Sequence, residues 1–77
     1  MMIVERLKDD LQMRYRLQHL SVSDAGFQYE ILMVFAIGNV GIGVSVSRNE
    51  ALRIPYDALR AHVFRLIDER IVEAFKR

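Results

Sequence analysis

The chain has 77 residues, a formal net charge of +1 and no cysteine; 52% of its residues are hydrophobic and 27% charged. That size predicts a single domain over residues 1–77, and the composition excludes a disordered chain, a disulfide framework and a thiolate metal site. The balanced charge gives no bulk attraction for nucleic acid or an acidic membrane, and the longest apolar run, Ile31 to Ile37, is far too short to span a bilayer.

A chain this short buries only roughly 60% of the surface its unfolded form exposes, so oligomerisation is the remaining common source of extra stability. The start "MMIVERLKDD" lacks the basic region, apolar core and cleavage site of a secretory signal, and a cytoplasmic location is expected. Nine arginines stand against two lysines. Arginine suits bidentate contacts to phosphate or carboxylate.

From Met2 to about Gln12, Ile3, Val4, Leu7 and Leu11 recur at helical spacing, which predicts a short amphipathic helix with Glu5 and Asp9 near its positive end. In "RYRLQHLSVS" the period changes to two, with Tyr15 and Leu17, then Leu20 and Val22 after a slip at His19. This predicts a strand with a bulge; a helix running on to Leu20 is the alternative. "SDAG" at Ser23 to Gly26 is turn chemistry, Asp24 bonding its own backbone and Gly26 taking a positive φ.

Phe27, Tyr29, Ile31, Met33, Phe35 and Ile37 then alternate, as do Val40, Ile42, Val44 and Val46 beyond Gly38-Asn39. A two-residue loop at Gly38-Asn39 predicts a hairpin pairing Ile37 with Val40, Phe35 with Ile42, Met33 with Val44 and Ile31 with Val46. "GNVG" has the G-x-x-G pattern of a KH loop, but it lies between strands and carries no basic residue; it reads as a turn. "SRNEA" predicts another turn and Leu52 to Ile54 a short fourth strand. Ile54 is held extended by Pro55, which takes the first helical position. A helix of roughly 21 residues, about 32 Å long, follows to Phe75. Its apolar arc carries Tyr56, Leu59, Val63, Leu66, Ile67, Ile71, Ala74 and Phe75, with Phe64 at the margin. The fold class is α+β: a short N-terminal helix, a three- to four-stranded antiparallel meander and a long C-terminal helix on one face, α-β-β-β-(β)-α.

This order resembles that of double-stranded-RNA-binding domains, over most of the chain and in element order alone. In that family the last helix opens with a basic cluster, whereas here "PYDALR" brings Asp57 first and Arg60 after it. "SDAG" stands where the family has Gly-Pro-x-His. The resemblance carries over no residue.

The second hairpin face places Leu32, Val34 and Ala36 beside Gly41 and Gly43, a flat apolar patch where a second chain could approach closely. No lysine or proline guards Val40 to Ser47, so edges of this kind can pair across a two-fold. The competing reading packs the first helix over this face. Arg14, Arg16, Arg48 and Arg53, gathered at one end of the sheet, would instead make a phosphate surface. Arg70, among Leu59, Val63 and Leu66, must snorkel, pair or face a partner.

His19 and His62 are isolated, no serine lies in a nucleophile elbow, and no glycine-rich loop leads from a strand into a helix. The sequence thus points to a small non-enzymatic interaction or accessory module without cofactor, metal or small-molecule ligand. A homodimer or protein partner is expected, with a nucleic-acid-binding regulator as the alternative.

Overall fold

The computed structural model describes residues 2–76; residues 1 and 77 lie outside the described residues. The elements run α1 (Met2–Arg14), β1 (Leu17–Asp24), β2 (Gln28–Phe35), β3 (Gly41–Ser47), α2 (Arg48–Arg53) and α3 (Tyr56–Phe75). The three strands form one antiparallel sheet in the order β1-β2-β3. The long helices lie on one of its faces, α1 over β1 and α3 over β3.

The helix at the start ends two residues beyond the expected Gln12, where the Tyr15 N–H still bonds the Leu11 carbonyl at 3.0 Å. Leu7 and Leu11 are fully buried. The strand reading of the next segment is the right one, and the phase slip is a bulge: β1 pairs Leu17 with Phe35 and His19 with Val34, leaving Gln18 as the extra residue. That slip brings Leu20 and Val22 onto the core side, opposite Met33 and Ile31. The turn at Ser23 to Gly26 is as expected, with the Gly26 N–H bonded to Asp24 Oδ1 at 2.9 Å and Gly26 at φ +96°.

The β2–β3 hairpin has the expected faces but a wider loop. Gly38 and Asn39 both take positive φ, yet the turn spans residues 36–39, and the Phe35 N–H bonds the Val40 carbonyl at 2.9 Å. Tyr29, Ile31 and Met33 therefore face Val46, Val44 and Ile42. The register is two residues from the tight-loop expectation. Two contacts from outside the hairpin hold the wider loop: the Ala36 N–H bonds the Arg16 carbonyl, and the Phe75 ring lies against Gly38. A shift of two preserves the parity of every side chain, so the same residues reach the core. The apolar alternation also overruns the strand at both ends, since Phe27 and Ile37 are exposed.

The expected fourth strand is absent among the described residues. Residues 48–53 are helix α2, because Ser47 to Glu50 is an S-x-x-E start: Ser47 Oγ accepts the Glu50 N–H at 3.4 Å. Only Ala51 of α2 is buried, while Leu52 and Ile54 face outward. Ile54 is extended as Pro55 requires, and Pro55 is the N-cap of α3 rather than its first turn.

Leu59, Val63 and Ile67 of α3 close a core with Leu7, Leu11, Tyr29, Ile31 and Met33. Each such side chain contributes about 1.5–3 kcal/mol on burial. Tyr56, Leu66 and Ile71 are half-buried, whereas Ala74 and Phe75 are exposed. Across the top of the core, α1 and α3 run parallel: Arg6 stacks on Tyr56, Asp10 meets Tyr56 and Arg60, and Arg14 meets Phe64 and Asp68.

Candidate functional site

With both long helices on one side, the opposite sheet face is left open. The alternative in which α1 covers it does not occur. Reading across the strands, its rows are His19–Val34–Gly41, Ser21–Leu32–Gly43 and Ser23–Glu30–Ser45, with Gln28 beside Ser47. The polar end is tied together by Gln28 Nε2 donating to Glu30 Oε2 at 2.8 Å. Leu32 stands in the middle row, 57% exposed, among serines and glycine. Its Cδ2 lies 3.1 Å from where a Cβ on Gly43 would be, so the side chain leans over Gly43 towards the sheet edge.

Of the five residues expected to form this patch, Leu32, Val34, Gly41 and Gly43 are brought together. Ala36 is not: it belongs to the turn after β2, and its N–H is directed to Arg16 on the β1 side.

The edge beside the patch can be resolved group by group. The Phe35 N–H bonds Val40, and at the other end the Arg48 N–H bonds the Phe27 carbonyl. In an antiparallel ladder such bonded pairs recur every second residue. Residues 42, 44 and 46 therefore turn their N–H and C=O groups to β2. Gly41, Gly43 and Ser45 turn theirs outward, where the sheet has no further strand among the described residues. The same three residues carry almost no side chain. Arg70 approaches from α3 and lines a shallow cleft of about 290 Å³ here with Gln28, Glu30, Leu32, Gly43 and Ser45. It is exposed, having left the apolar arc on which the sequence places it.

The four arginines of the phosphate reading do not converge. Arg14 and Arg16 lie at the Leu17–Phe35 end of the sheet. There they flank an apolar notch of about 350 Å³ lined by Tyr15, Phe35, Ile37 and Phe75. Arg48 lies at the opposite end, roughly seven strand residues or about 23 Å away. Two of the four are occupied locally. Arg14 Nη2 donates to Asp68 Oδ2 at 3.0 Å and its Nε to the Tyr15 hydroxyl. Arg48 Nη1 donates to the Gly26 carbonyl at 3.0 Å, with Nε 3.8 Å from Asp24 Oδ2, fastening the β1–β2 turn. Arg53 borders a shallow cleft with Glu50, Ile54 and His62.

His19 lies on the open face beside Val34, and His62 on α3 within 3.1 Å of Arg65 Nη2. No group of three or more metal-ligating side chains gathers among the described residues, nor is any described helix long and apolar enough to cross a membrane.

Sequence reasoning missed the polar seam between α1 and α3. The Tyr56 hydroxyl donates to Asp10 Oδ2 at 2.5 Å, and the Tyr15 hydroxyl to Asp68 Oδ1 at 2.6 Å. Burial, and then the hydrogen bond to the carboxylate, pushes the Tyr15 phenol up to about 12 and raises that of Tyr56 as well. No local pattern signals pairs separated by 46 and 53 residues.

Comparison with models of protein families, with curated proteins and with solved structures finds no match.

Proposed function

We propose that the chain is a small non-enzymatic interaction module of the cytoplasm that associates through the open side of its sheet, in the first instance with a second copy of itself. The observation that carries this reading is Leu32: a large apolar side chain, exposed at the centre of a face of glycine and serine, leaning over an unpaired edge strand. Covering the exposed 57% of Leu32 would contribute about 1–2 kcal/mol, and a chain of this size has little stability of its own to spare. The nucleic-acid alternative needs a shared phosphate surface, and the separation of Arg14 and Arg16 from Arg48 weighs against it.

Molar mass in solution, by size exclusion with light scattering, tests the proposal on the wild type and on Leu32→Glu, with circular dichroism as the folding control. A wild-type dimer and a folded monomeric variant are expected. A wild type that is monomeric at tens of micromolar would overturn self-association. Salt separates the two classes: an apolar contact holds or tightens as salt rises, whereas phosphate contacts weaken steeply.

A further inference from the structure

Resting on self-association, we infer its geometry: two copies join edge to edge through β3, antiparallel, with Val44 on the two-fold axis, making one continuous sheet of six strands. The alternative is stacking of the two open faces. Three features of β3 favour the edge.

The first is hydrogen bonding. The outward N–H and C=O groups belong to the odd-numbered residues Gly41, Gly43 and Ser45, with the Ser47 N–H beyond them. Antiparallel pairing must set odd against odd, because a slip of one residue would bring groups already bonded to β2 opposite them. Among the permitted registers, the one centred on Val44 overlaps all seven residues of Gly41–Ser47. It sets Gly43 of each copy against Ser45 of the other, and Gly41 against Ser47. Every other permitted register leaves residues unpaired at the ends.

The second is side-chain complementarity. On the core side that register sets Val44 against Val44 and Ile42 against Val46, so a β-branched row meets its own reverse. On the open side glycine meets serine, so the paired residues themselves bring nothing larger than a hydroxyl to the seam. The third is charge. Gly41–Ser47 contains no ionisable residue, so a second copy brings no repulsion within the strand pair itself. Arg70, which lines the cleft beside Gly43 and Ser45, has to move aside for the strands to pair, and Leu32, leaning over Gly43, then borders the new strand pair.

The orientation of Ser45 supplies a selective test. Its N–H points outward, so Ser45→Pro removes no β2–β3 bond but takes a donor from the intermolecular ladder. The expected result is a folded monomer, at least tenfold weaker in self-association than wild type. A folded Ser45→Pro that dimerises as wild type does would overturn the edge geometry.

The chain has no cysteine, which allows a single-cysteine scan that does not depend on proline being tolerated. Val44 would form a non-hydrogen-bonded pair across the axis, with Cα atoms about 4.5 Å apart, within disulfide reach. Under diamide, Val44→Cys should give a cross-linked dimer at least tenfold faster than Gly41→Cys, Ser45→Cys or Ser47→Cys. If the wild type is dimeric and Val44→Cys links no faster than the others, the edge geometry fails while self-association stands. A monomeric wild type removes both.

Discussion

The Tyr15 hydroxyl, at the joint between α1 and β1, donates to Asp68 Oδ1 in α3 at 2.6 Å, while Arg14 holds the other oxygen of the same carboxylate at 3.0 Å. Tyr15 also stands edge-on to Phe35 and Phe64. One side chain thus joins the helix that begins the chain, the end of the sheet and the helix that finishes it. Tyr15→Phe keeps the ring contacts and removes only the hydroxyl, so a loss of about 0.5–1.5 kcal/mol is expected in urea unfolding.

The same tyrosine makes stability depend on alkaline pH. Its pKa is about 12 when folded against 10.0 ordinarily, because of burial and the bond to Asp68. The folded state keeps the proton longer than the unfolded state does. The stabilisation is therefore complete below pH 10, declines as pH rises through 10, and is spent above about 12. Tyr56 acts in the same direction. In unfolding measured between pH 9 and 12, Tyr15→Phe/Tyr56→Phe should show a shallower decline than wild type.

Ser47 ends β3 and caps α2 in one residue. Ser47→Ala should cost about 0.5–1 kcal/mol, at the lower end for a capping residue because the bond is long at 3.4 Å. Hydrogen exchange of residues 48–53 should quicken, with the protection of β2 unchanged.

Ile67 and Leu32 are apolar residues of the same volume class with opposite surroundings. Ile67 is fully buried, and Ile67→Ala should cost about 2–5 kcal/mol. Leu32→Ala, at a site 57% exposed, should change the stability of the isolated chain by less than about 0.5 kcal/mol. Denaturant melts at low concentration, where any dimer dissociates, compare the two directly.

The sheet was legible in the sequence because each strand keeps a period of two and the bulge announces itself as a phase slip at His19. The loop width was not. Gly38-Asn39 satisfies the backbone demands of a two-residue turn, and the contacts that accompany the wider one come from Arg16 and Phe75, elsewhere in the chain. Helix α2 was hidden by the brief alternation of Leu52 and Ile54, although the capping signature Ser47–Glu50 was there to be read. Of the candidate site, Leu32, Val34, Gly41 and Gly43 follow from strand parity alone. Ala36 drops out because the strand stops one residue before it. The separation of the arginines was legible too: in an antiparallel meander β1 and β3 run the same way, so Arg14 and Arg16 before β1 and Arg48 after β3 must lie at opposite ends of the sheet.

The parallel run of α1 and α3 bears on how the molecule assembles in time. The three strands form a meander whose pairings close over short loops, inexpensive in chain entropy and fast. The hydrogen bonds between the two helices join residues 46 to 54 positions apart. Because its partners are so far apart in sequence, the seam is expected to close after the sheet has formed. Contacts made late in folding are absent from the transition state and govern the rate of opening. Replacing Asp10 or Asp68 should hasten unfolding and leave the folding rate almost untouched, so the seam acts as the latch that sets the lifetime of the folded chain.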